Sequence, residues 1–324
     1  MDIKDIFSHY AEDLKTIDRQ LLGIFSSKVF LIPMVGQHIL SSGGKRIRPL
    51  FLLLSADLCG YKEANRTMLA AIIEAIHTAS LLHDDVIDSA DTRRGKPASH
   101  AIWGNQVVIL VGDFLYSMAL KIAVDQKNQK VMEALSEATT RMTEGEILQL
   151  NKIGDPDITA QEYYDIIAAK TGVLISAACR IGGILACEPE EKEMALARFG
   201  MKTGIAFQLA DDVLDYVADQ KNLGKKLGKD LAEGKITMPL IYLLTKASDA
   251  ERDEIKSIIK TSVESEEGLR RIMELFARYD AIEQSLHIAR NLVVEAKSEL
   301  AGFPDSAGKE ALLVMADYAM QRKE

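Results

Sequence analysis

The sequence predicts an all-α fold made of many long helices. Apolar residues recur at helical spacing along almost the whole chain of 324 residues, and no run alternates convincingly between apolar and polar residues as a strand would. The composition agrees with this prediction. The chain has only 7 Pro and 6% aromatic residues, and it is rich in Ala, Leu, Ile, Lys and Glu, most of which favour helices.

The helices follow one another in order, and several have recognisable end signals. Pro49 falls in the first turn of its helix, where its missing N–H group does no harm. Thr159 and Glu162 form a capping box, and Pro189 marks another helix start. The periodicity predicts helices over residues 4–40, 46–59, 64–89, 104–125, 128–152, 160–186, 190–217, 236–247, 250–261, 266–278, 280–301 and 307–322.

Two segments interrupt the helical pattern. Residues 41–46 form a tight Gly-rich turn with a basic cluster. Residues 222–234 alternate Gly and Lys without an apolar stripe, which predicts a mobile loop. No linker of Pro, Ser or low-complexity composition divides the chain, and no solenoid-type repeat occurs. We therefore expect one single domain over residues 1–324.

Composition excludes several classes of function. The net charge of −9 argues against a general nucleic-acid binder, which needs basic surface for phosphate contacts. The N-terminus lacks a signal peptide, and no uninterrupted apolar run is long enough to span a bilayer. Cys59, Cys179 and Cys187 show no Cys-x-x-Cys spacing, which is typical of reduced, buried thiols. We expect a cytoplasmic protein without a transmembrane segment.

A duplicated acidic pentapeptide is the strongest functional signal. It reads Asp-Asp-x-x-Asp twice, each time inside an apolar helical pattern. Residues four apart share a helix face, so Asp84 points with Asp88 and Asp211 points with Asp215. Carboxylate ligands of this kind select a hard ion, Mg²⁺ or Mn²⁺, which completes its shell with water and phosphate. The two motifs predict one diphosphate held between two acidic walls, and the neighbouring His83 is expected to pack or hydrogen-bond in support.

Basic residues accompany the first acidic motif. His77 lies on the same helix face as that motif, and Arg93 and Arg94 follow it directly. Arginine offers two parallel hydrogen bonds to phosphate oxygens. Lys45 and Arg48 lie three residues apart at a helix start, where the helix dipole also favours an anion. Together with Arg94, they predict a second diphosphate site that needs no metal.

Further polar residues surround the second acidic motif. Lys170 and Thr171 lie in a helical stretch of small residues, where a lysine needs an anionic partner. Gln208 lies three residues before the motif and on the same face. Lys225 and Lys235 flank the predicted loop and can close over a phosphate, although ordinary surface lysines explain these two equally well.

Taken together, these motifs resemble the trans-isoprenyl diphosphate synthases, the all-trans polyprenyl synthetase family, over nearly the whole chain. The resemblance rests on Gly-Gly-Lys-Arg-Ile-Arg-Pro (43–49), His-Thr-Ala-Ser-Leu-Leu-His-Asp-Asp-Val-Ile-Asp (77–88), Thr-Arg-Arg-Gly-Lys-Pro (92–97), Val-Gly-Asp-Phe-Leu (111–115), Lys-Thr-Gly (170–172), Gln-Leu-Ala-Asp-Asp-Val-Leu-Asp (208–215) and Gly-Lys (234–235). These segments occurring in this order are highly specific.

The resemblance implies a role for each matching residue. It implies Mg²⁺ ligands at Asp84, Asp88, Asp211 and Asp215, with Asp85 and Asp212 as supporting carboxylates. The residues expected to face the allylic diphosphate are Arg93, Lys170, Thr171, Gln208, Lys225 and Lys235. Those expected in the isopentenyl diphosphate pocket are Lys45, Arg48, His77 and Arg94. The fold that the resemblance implies is a bundle of long, mostly antiparallel helices around a deep central cavity, usually in a homodimer.

The reaction that the resemblance implies begins with ionisation of the allylic C–O bond. Metal ions and basic side chains, with Asp84, Asp88, Arg93, Lys170 and Asp211 as the catalytic set, stabilise the departing diphosphate. The double bond of isopentenyl diphosphate attacks the carbocation, and a proton is then lost to the released diphosphate. A dry cavity protects the cation from water, and oxygen dipoles of the kind that Thr171 and Gln208 offer can stabilise it.

Small residues before the first motif predict a long product. Ala79 and Ser80 lie about one turn before the first aspartate, where short-chain members of the family tend to carry bulky aromatic residues. They leave a tunnel open, and its floor is expected from Leu115, Met118 and Ile122 on the following helix. An octaprenyl product for a respiratory quinone tail is the first choice, with heptaprenyl to decaprenyl open. Peripheral membrane contact for product release also stays open.

Several other functions compete with this interpretation. A short-chain farnesyl or geranylgeranyl synthase shares the chemistry and differs in the depth of the tunnel. A terpene cyclase or head-to-head synthase would not need the second diphosphate pocket. A non-catalytic subunit of a two-component prenyltransferase tends to lose aspartates, and both motifs here are complete. The chain can still be the catalytic half of such a pair.

Overall fold

The computed structural model describes residues 1–93, 95–217, 228–261 and 265–320, and these are predominantly helical. The α-helices in chain order are α1 Ile3–His9, α2 Ala11–Ile24, α3 Leu31–Ser41, α4 Ile47–Leu58, α5 Asn65–Ile87, α6 Ser99–Trp103, α7 Asn105–Asp125, α8 Gln129–Asn151, α9 Ala160–Ile167, α10 Val173–Leu185, α11 Glu190–Val217, α12 Lys229–Ala232, α13 Met238–Lys246, α14 Asp249–Thr261, α15 Glu266–Tyr279, α16 Ala281–Glu299 and α17 Ala307–Tyr318. A π-helical segment, Ala168–Gly172, joins α9 to α10, and a short 3₁₀ turn, Leu300–Gly302, follows α16. The all-α prediction is confirmed.

Most predicted helix ends lie within a residue or two of the observed ends. The capping box at the start of α9 is present, because the backbone N–H of Glu162 donates to Thr159 Oγ1 at 3.2 Å and the N–H of Thr159 donates to a Glu162 carboxylate oxygen at 2.8 Å. Pro49 lies in the first turn of α4, as predicted. These helices are therefore specified by local signals.

The prediction of one helix over residues 4–40 is wrong. Three helices occupy this stretch, and the chain turns back between α2 and α3. Phe25 packs directly onto Gly36, where an added Cβ atom would lie 2.4 Å from the Phe25 Cγ. This close contact between α3 and the end of α2 accompanies the break, and the helical periodicity of the segment does not reveal it.

Smaller differences concern the connections. A two-residue antiparallel hairpin, β1 Thr92–Arg93 with β2 Lys96–Pro97, and the short α6 were not predicted. Part of the predicted loop 222–234 is the one-turn α12, whereas residues 222–227 lie outside the described residues. All three cysteines are free, but Cys187 is exposed rather than buried.

Contacts divide the chain into two compact units. The first unit comprises Met1–Thr139, Ala177–Ala197 and Gly302–Leu312, and the second comprises Thr140–Ser176, Arg198–Ala301 and Leu313–Glu324. In the first unit, α5 packs against α2, α4 and most extensively α7. In the second unit, α13 packs against α9, α15 and α16 and contributes to a hydrophobic core.

Two helical stretches, Asn105–Asp125 and Ala160–Leu185, are long and apolar enough to cross a membrane by length and composition alone. The apolar window of the second stretch is 78% buried, as in the core helix of a soluble protein, and that of α7 is 33% buried. Charged residues such as Asp113 and Lys170 interrupt them. Neither stretch is a clear membrane span.

Candidate active site

The first acidic motif lies at the C-terminal end of α5. Asp88 caps the helix, and its backbone N–H donates to the Asp84 carbonyl oxygen at 2.8 Å. Asp88 is exposed and Asp84 is partly buried, whereas only 1% of Asp85 is exposed. The outer two aspartates can therefore reach a ligand from solvent, and the middle one cannot.

The buried middle aspartate of the first motif binds Arg93. The guanidinium donates to Asp85 Oδ1 through Nε at 2.7 Å and through Nη2 at 2.6 Å. The β1–β2 hairpin turns the chain back and holds Arg93 beside the end of α5. A charge-assisted pair of this kind fixes the arginine next to the acidic motif. Arg94, predicted for the isopentenyl diphosphate pocket, lies outside the described residues.

His83 supports the packing of α5 on α7, as the sequence predicts. Its Nε2 lies 3.1 Å from the Ile109 carbonyl oxygen and 3.4 Å from Asp113 Oδ1. An added Cβ atom at Gly112 would lie 2.3 Å from the same nitrogen. Gly112, within the family-like segment 111–115, therefore leaves the space in which the imidazole meets α7.

The three cationic side chains at the basic turn before α4 have different surroundings. Arg46 adopts a left-handed conformation, with φ of 51°, and binds Asp18 at 2.7 Å and the buried Glu74 at 3.2 Å. Arg46 is thus used inside the protein. Arg48 places Nη1 3.0 Å from His77 Nε2, which brings together two residues predicted for the isopentenyl diphosphate pocket. Lys45 lies on the exposed part of the same turn.

The second acidic motif, in α11, repeats the burial pattern of the first. Asp211 is exposed and Asp215 is partly buried, whereas only 5% of Asp212 is exposed. Asp212 Oδ2 accepts from the Tyr163 hydroxyl at 2.5 Å, and Oδ1 accepts from Gln208 Nε2 at 2.8 Å. Burial raises the pKa of Tyr163, so the phenol stays protonated and donates.

The π segment carries Lys170 and Thr171. Such segments are rare and are frequent at functional sites. Lys170 Nζ binds Glu146 at 2.9 Å, which supplies the anionic partner that the sequence predicts. Thr171 Oγ1 donates to Gln208 Oε1 at 2.8 Å. The backbones of α11 and the π segment approach each other closely here, because an added Cβ atom at Gly204 would lie 2.6 Å from the Gly172 Cα.

One pocket of the second unit brings together three of the residues predicted to face the allylic diphosphate. Lys170, Gln208 and Lys235 line it together with Asp212 and Asp230. Lys235 Nζ binds Glu233 at 2.7 Å and lies at the start of the segment that leads into α13. Lys225, also predicted to face the allylic diphosphate, lies outside the described residues.

Asp230 is a functional candidate that the sequence analysis missed. It lines this pocket, and its backbone N–H donates to Asp215 Oδ2 at 2.9 Å. Burial and the charge of Asp215 raise the pKa of Asp230, and burial and the charge of Asp230 raise the pKa of Asp212. The sequence carries no signal for Asp230, because it lies in residues 222–234, the segment predicted to be a mobile loop.

The acidic residues around the second motif fit a hard divalent cation. Several carboxylates repel one another there, and a bound cation would offset the repulsion. Within the four described ranges, no group of three or more His, Cys, Asp or Glu side chains is placed to hold a metal ion by itself.

Tyr163 and Glu146 are the other residues that the sequence analysis missed. Tyr163 was hidden as one apolar position of a helix, although it lies seven residues before Lys170 and thus on the same helix face. Glu146 lies in α8 and has no local signal, because its pairing with Lys170 joins two different helices.

The residues predicted to set product length lie where α5 packs on α7. Ala79 and Leu115 are fully buried, whereas Met118 and Ile122 are partly buried. Ser80 is also partly buried, and its hydroxyl donates to the His77 carbonyl oxygen at 2.8 Å. Their role in chain length stays a prediction.

Comparisons with known proteins agree with these features. The family model described as "Polyprenyl synthetase" matches residues 31–276. The chain is 40% identical to an octaprenyl diphosphate synthase of Escherichia coli (strain K12), with 99% of each chain covered. It is 35% identical to a short chain isoprenyl diphosphate synthase of Methanothermobacter thermautotrophicus, with 100% of this chain and 99% of the relative covered.

A solved structure is similar over the same extent. The polyprenyl synthase of Caulobacter crescentus CB15, crystallised with calcium and isoprenyl diphosphate, has a TM-score of 0.93 and 37% identity to this chain. The match covers 100% of this chain and 98% of that one. The match to the family model and the identity to full-length relatives show that the chain belongs to the polyprenyl synthetase family.

Proposed function

We propose that this enzyme repeatedly condenses isopentenyl diphosphate with an allylic diphosphate to give a long-chain all-trans polyprenyl diphosphate, octaprenyl in the first place, for a quinone side chain. The family catalyses the condensation of isopentenyl diphosphate with allylic diphosphates. One observation carries the assignment of the site. In both motifs the middle aspartate is buried and hydrogen-bonded, while the outer two are exposed or partly exposed to solvent.

The outer aspartates are the proposed metal ligands. Asp84 and Asp88 in the first motif and Asp211 and Asp215 in the second would hold Mg²⁺, for which Mn²⁺ can substitute. A metal held by these aspartates would supply positive charge to offset the charge that develops on the departing diphosphate. The middle aspartates contribute through their partners, since Asp85 holds Arg93 and Asp212 holds Gln208.

Basic residues would bind the two substrates separately. Lys170 and Lys235 support an allylic diphosphate site, because both line one pocket and both pair with glutamates that a more highly charged diphosphate can displace. The proposed allylic set is completed by Arg93, Thr171, Gln208 and Lys225. Catalysis is assigned to Asp84, Asp88, Arg93, Lys170 and Asp211. For isopentenyl diphosphate, the contact of Arg48 with His77 supports the pocket, which Lys45 and Arg94 would complete.

The reaction proceeds in three bond changes. The allylic C–O bond breaks and its electron pair leaves with the diphosphate, which the basic residues stabilise. The double bond of isopentenyl diphosphate then forms the new C–C bond. The released diphosphate accepts the proton that is lost, which needs no general base from the protein. Thr171 and Gln208 would face the cation with oxygen atoms.

Product length is the part of the proposal with a competing candidate. The small side chains of Ala79 and Ser80 favour a long product, and the octaprenyl diphosphate synthase of Escherichia coli is 40% identical to this chain. A short product is the second candidate, because the short chain synthase of Methanothermobacter thermautotrophicus is 35% identical over the full chain. In either case we propose that residues 1–324 act as one catalytic domain in the cytoplasm.

We also propose a homodimer. Its support is the exposed apolar face of α7, where Leu110 is 66% exposed, Val124 57% and Ile109 41%. Contiguous exposed apolar surface can mark a protein–protein interface. Peripheral membrane contact for release of the product is compatible with the same proposal.

One incubation tests the function. The purified chain is incubated with farnesyl diphosphate, radiolabelled isopentenyl diphosphate and Mg²⁺, and the dephosphorylated products are separated by chain length. We expect octaprenyl as the main product. A product that ends at geranylgeranyl would establish the short-chain function instead. No product from the chain alone would contradict a self-sufficient enzyme, and restored activity with a second subunit would identify a two-component synthase.

A further inference from the structure

Four side chains of the second unit form a continuous hydrogen-bonded series. The Tyr163 hydroxyl donates to Asp212 Oδ2 at 2.5 Å, and Gln208 Nε2 donates to Asp212 Oδ1 at 2.8 Å. Gln208 Oε1 in turn accepts from Thr171 Oγ1 at 2.8 Å. Tyr163, Thr171 and Asp212 are each at most 5% exposed. The series joins α9, the π segment and α11 within a buried region.

The series fixes which end of the Gln208 amide faces which neighbour. In the structure both oxygens of Asp212 are acceptors, one from the Tyr163 hydroxyl and the other from the Gln208 amide NH₂ group. The carbonyl oxygen then faces Thr171, whose hydroxyl hydrogen is committed to it. The lone pairs of the threonine oxygen, and the second lone pair of the glutamine oxygen, are left for another partner. Asp212 therefore determines where the side-chain oxygens of Gln208 and Thr171 point.

Asp212 can direct the amide only while its own orientation is fixed. Two donors converge on it, and the one from Tyr163 comes from a ring that is packed in the hydrophobic core. A buried carboxylate that lost this donor would have one oxygen without its partner and could rotate to find another. The tyrosine hydroxyl therefore determines where the second oxygen of Asp212 points.

We propose that Tyr163 is a positioning residue for ionisation of the allylic substrate: through Asp212 it holds the Gln208 amide with its oxygen, and not its NH₂ group, toward Thr171 and the developing cation. This inference rests on the proposed function. It assigns Tyr163 no contact with the reacting carbon. The positioned oxygen stabilises the transition state, in which the cation forms, and contributes much less to binding of the uncharged prenyl chain.

Three variants test the proposal. Tyr163→Phe removes the hydroxyl and keeps the packed ring. Tyr164→Phe is the matched control, because Tyr164 is the next residue, is partly buried and has its ring centre 6.1 Å from that of Tyr163. Gln208→Met removes the amide that Tyr163 is proposed to orient, and the double variant Tyr163→Phe/Gln208→Met measures the coupling between the two.

We expect Tyr163→Phe to lower kcat about 10-fold, the effect of losing roughly one hydrogen bond in the transition state. The KM for farnesyl diphosphate should change by less than about twofold, and so should the dissociation constant of farnesyl thiodiphosphate measured by calorimetry, because ground-state binding is retained. Tyr164→Phe should match the wild type. The double variant should be no slower than Gln208→Met alone, because the hydroxyl then has nothing left to orient. All rates are measured at a temperature at which circular dichroism shows every variant to be folded.

Two results would overturn the role of Tyr163 while the proposed function stands. One is an active wild type with a Tyr163→Phe variant as fast as the control. The other is a double variant whose loss is the product of the two single losses, which would mean that the hydroxyl acts independently of Gln208. A wild type that neither elongates farnesyl diphosphate nor binds the thiodiphosphate analogue would instead contradict the proposed function itself.

Discussion

Replacing Gly204 with Ala tests how closely α11 must approach the π segment. The added Cβ atom would lie 2.6 Å from the Gly172 Cα, 3.2 Å from the Gly172 nitrogen and 3.3 Å from the Thr171 carbonyl oxygen. Carbon atoms in contact are normally about 3.5–4.0 Å apart. All three neighbours are backbone atoms, which cannot rotate away as a side chain can. The two elements must therefore separate locally by roughly 1 Å.

The separation has a cost in stability and a cost in activity. Overpacking of a buried contact costs about 1–3 kcal/mol in the free energy of unfolding. A shift of this size would also lengthen the 2.8 Å hydrogen bond from Thr171 to Gln208 beyond the usual range of about 3.2 Å. Misplacing a substrate-facing group by about 1 Å can cost about 100-fold in rate. We expect both losses in Gly204→Ala.

Urea unfolding followed by circular dichroism measures the first loss, and elongation of farnesyl diphosphate measures the second. Gly23→Ala is the control, because nothing lies within 4 Å of an added Cβ atom at this position of α2. Removing glycine from a helix should stabilise it by about 0.5–1 kcal/mol. The two substitutions should therefore change the unfolding midpoint in opposite directions. A Gly204→Ala variant with wild-type stability and wild-type kcat would refute the packing argument.

Four further changes have expected outcomes. Asp84→Ala should abolish Mg²⁺-dependent turnover while far-UV circular dichroism stays unchanged, and near-normal activity would overturn the metal assignment. Ala79→Tyr should shorten the product to about three or four isoprene units, because a bulky ring there would fill the predicted tunnel; an unchanged chromatographic chain length would contradict the tunnel. Arg46→Ala breaks a buried ion pair, since the Arg46 side chain is 11% exposed and that of Glu74 is 7% exposed. Urea unfolding should show that the free energy of unfolding falls by about 3 kcal/mol. A fall below about 1 kcal/mol would show that the pair contributes no more than a solvent-exposed ion pair. Leu110→Glu should halve the mass measured by light scattering, and a variant with unchanged mass would place the dimer interface elsewhere.

Local signals predicted the elements whose ends carry them. The capping box at Thr159 and the first-turn proline at Pro49 fixed two helix starts to within a residue or two. The break between α2 and α3 carries no such signal. There Phe25 packs onto Gly36 after the chain has turned, and hydrophobic periodicity does not reveal such a contact between two helices.

The same distinction holds for the candidate site. The acidic motifs and the lysine at 170 stand out because polar residues at helical spacing in an apolar helix need a reason. Asp230 does not stand out, since its segment has no apolar stripe against which to judge it. Tyr163 does not stand out for the opposite reason, because a tyrosine on the apolar face of a helix is usually a packing residue. Only the structure shows that its hydroxyl donates to Asp212.

The π segment constrains the number of residues between α9 and α10. Over Ala168–Gly172 the chain holds a wider turn than a regular α-helix, which accommodates an additional residue between α9 and α10. Deleting one residue there would remove the residue that the wider turn accommodates and leave a regular α-helix, so Lys170 and Thr171 would move relative to their neighbours. Larger side chains are also restricted, because an added Cβ atom at Gly172 would lie 2.7 Å from the Met201 sulfur. Both the number of residues in this segment and the size of its side chains are therefore constrained.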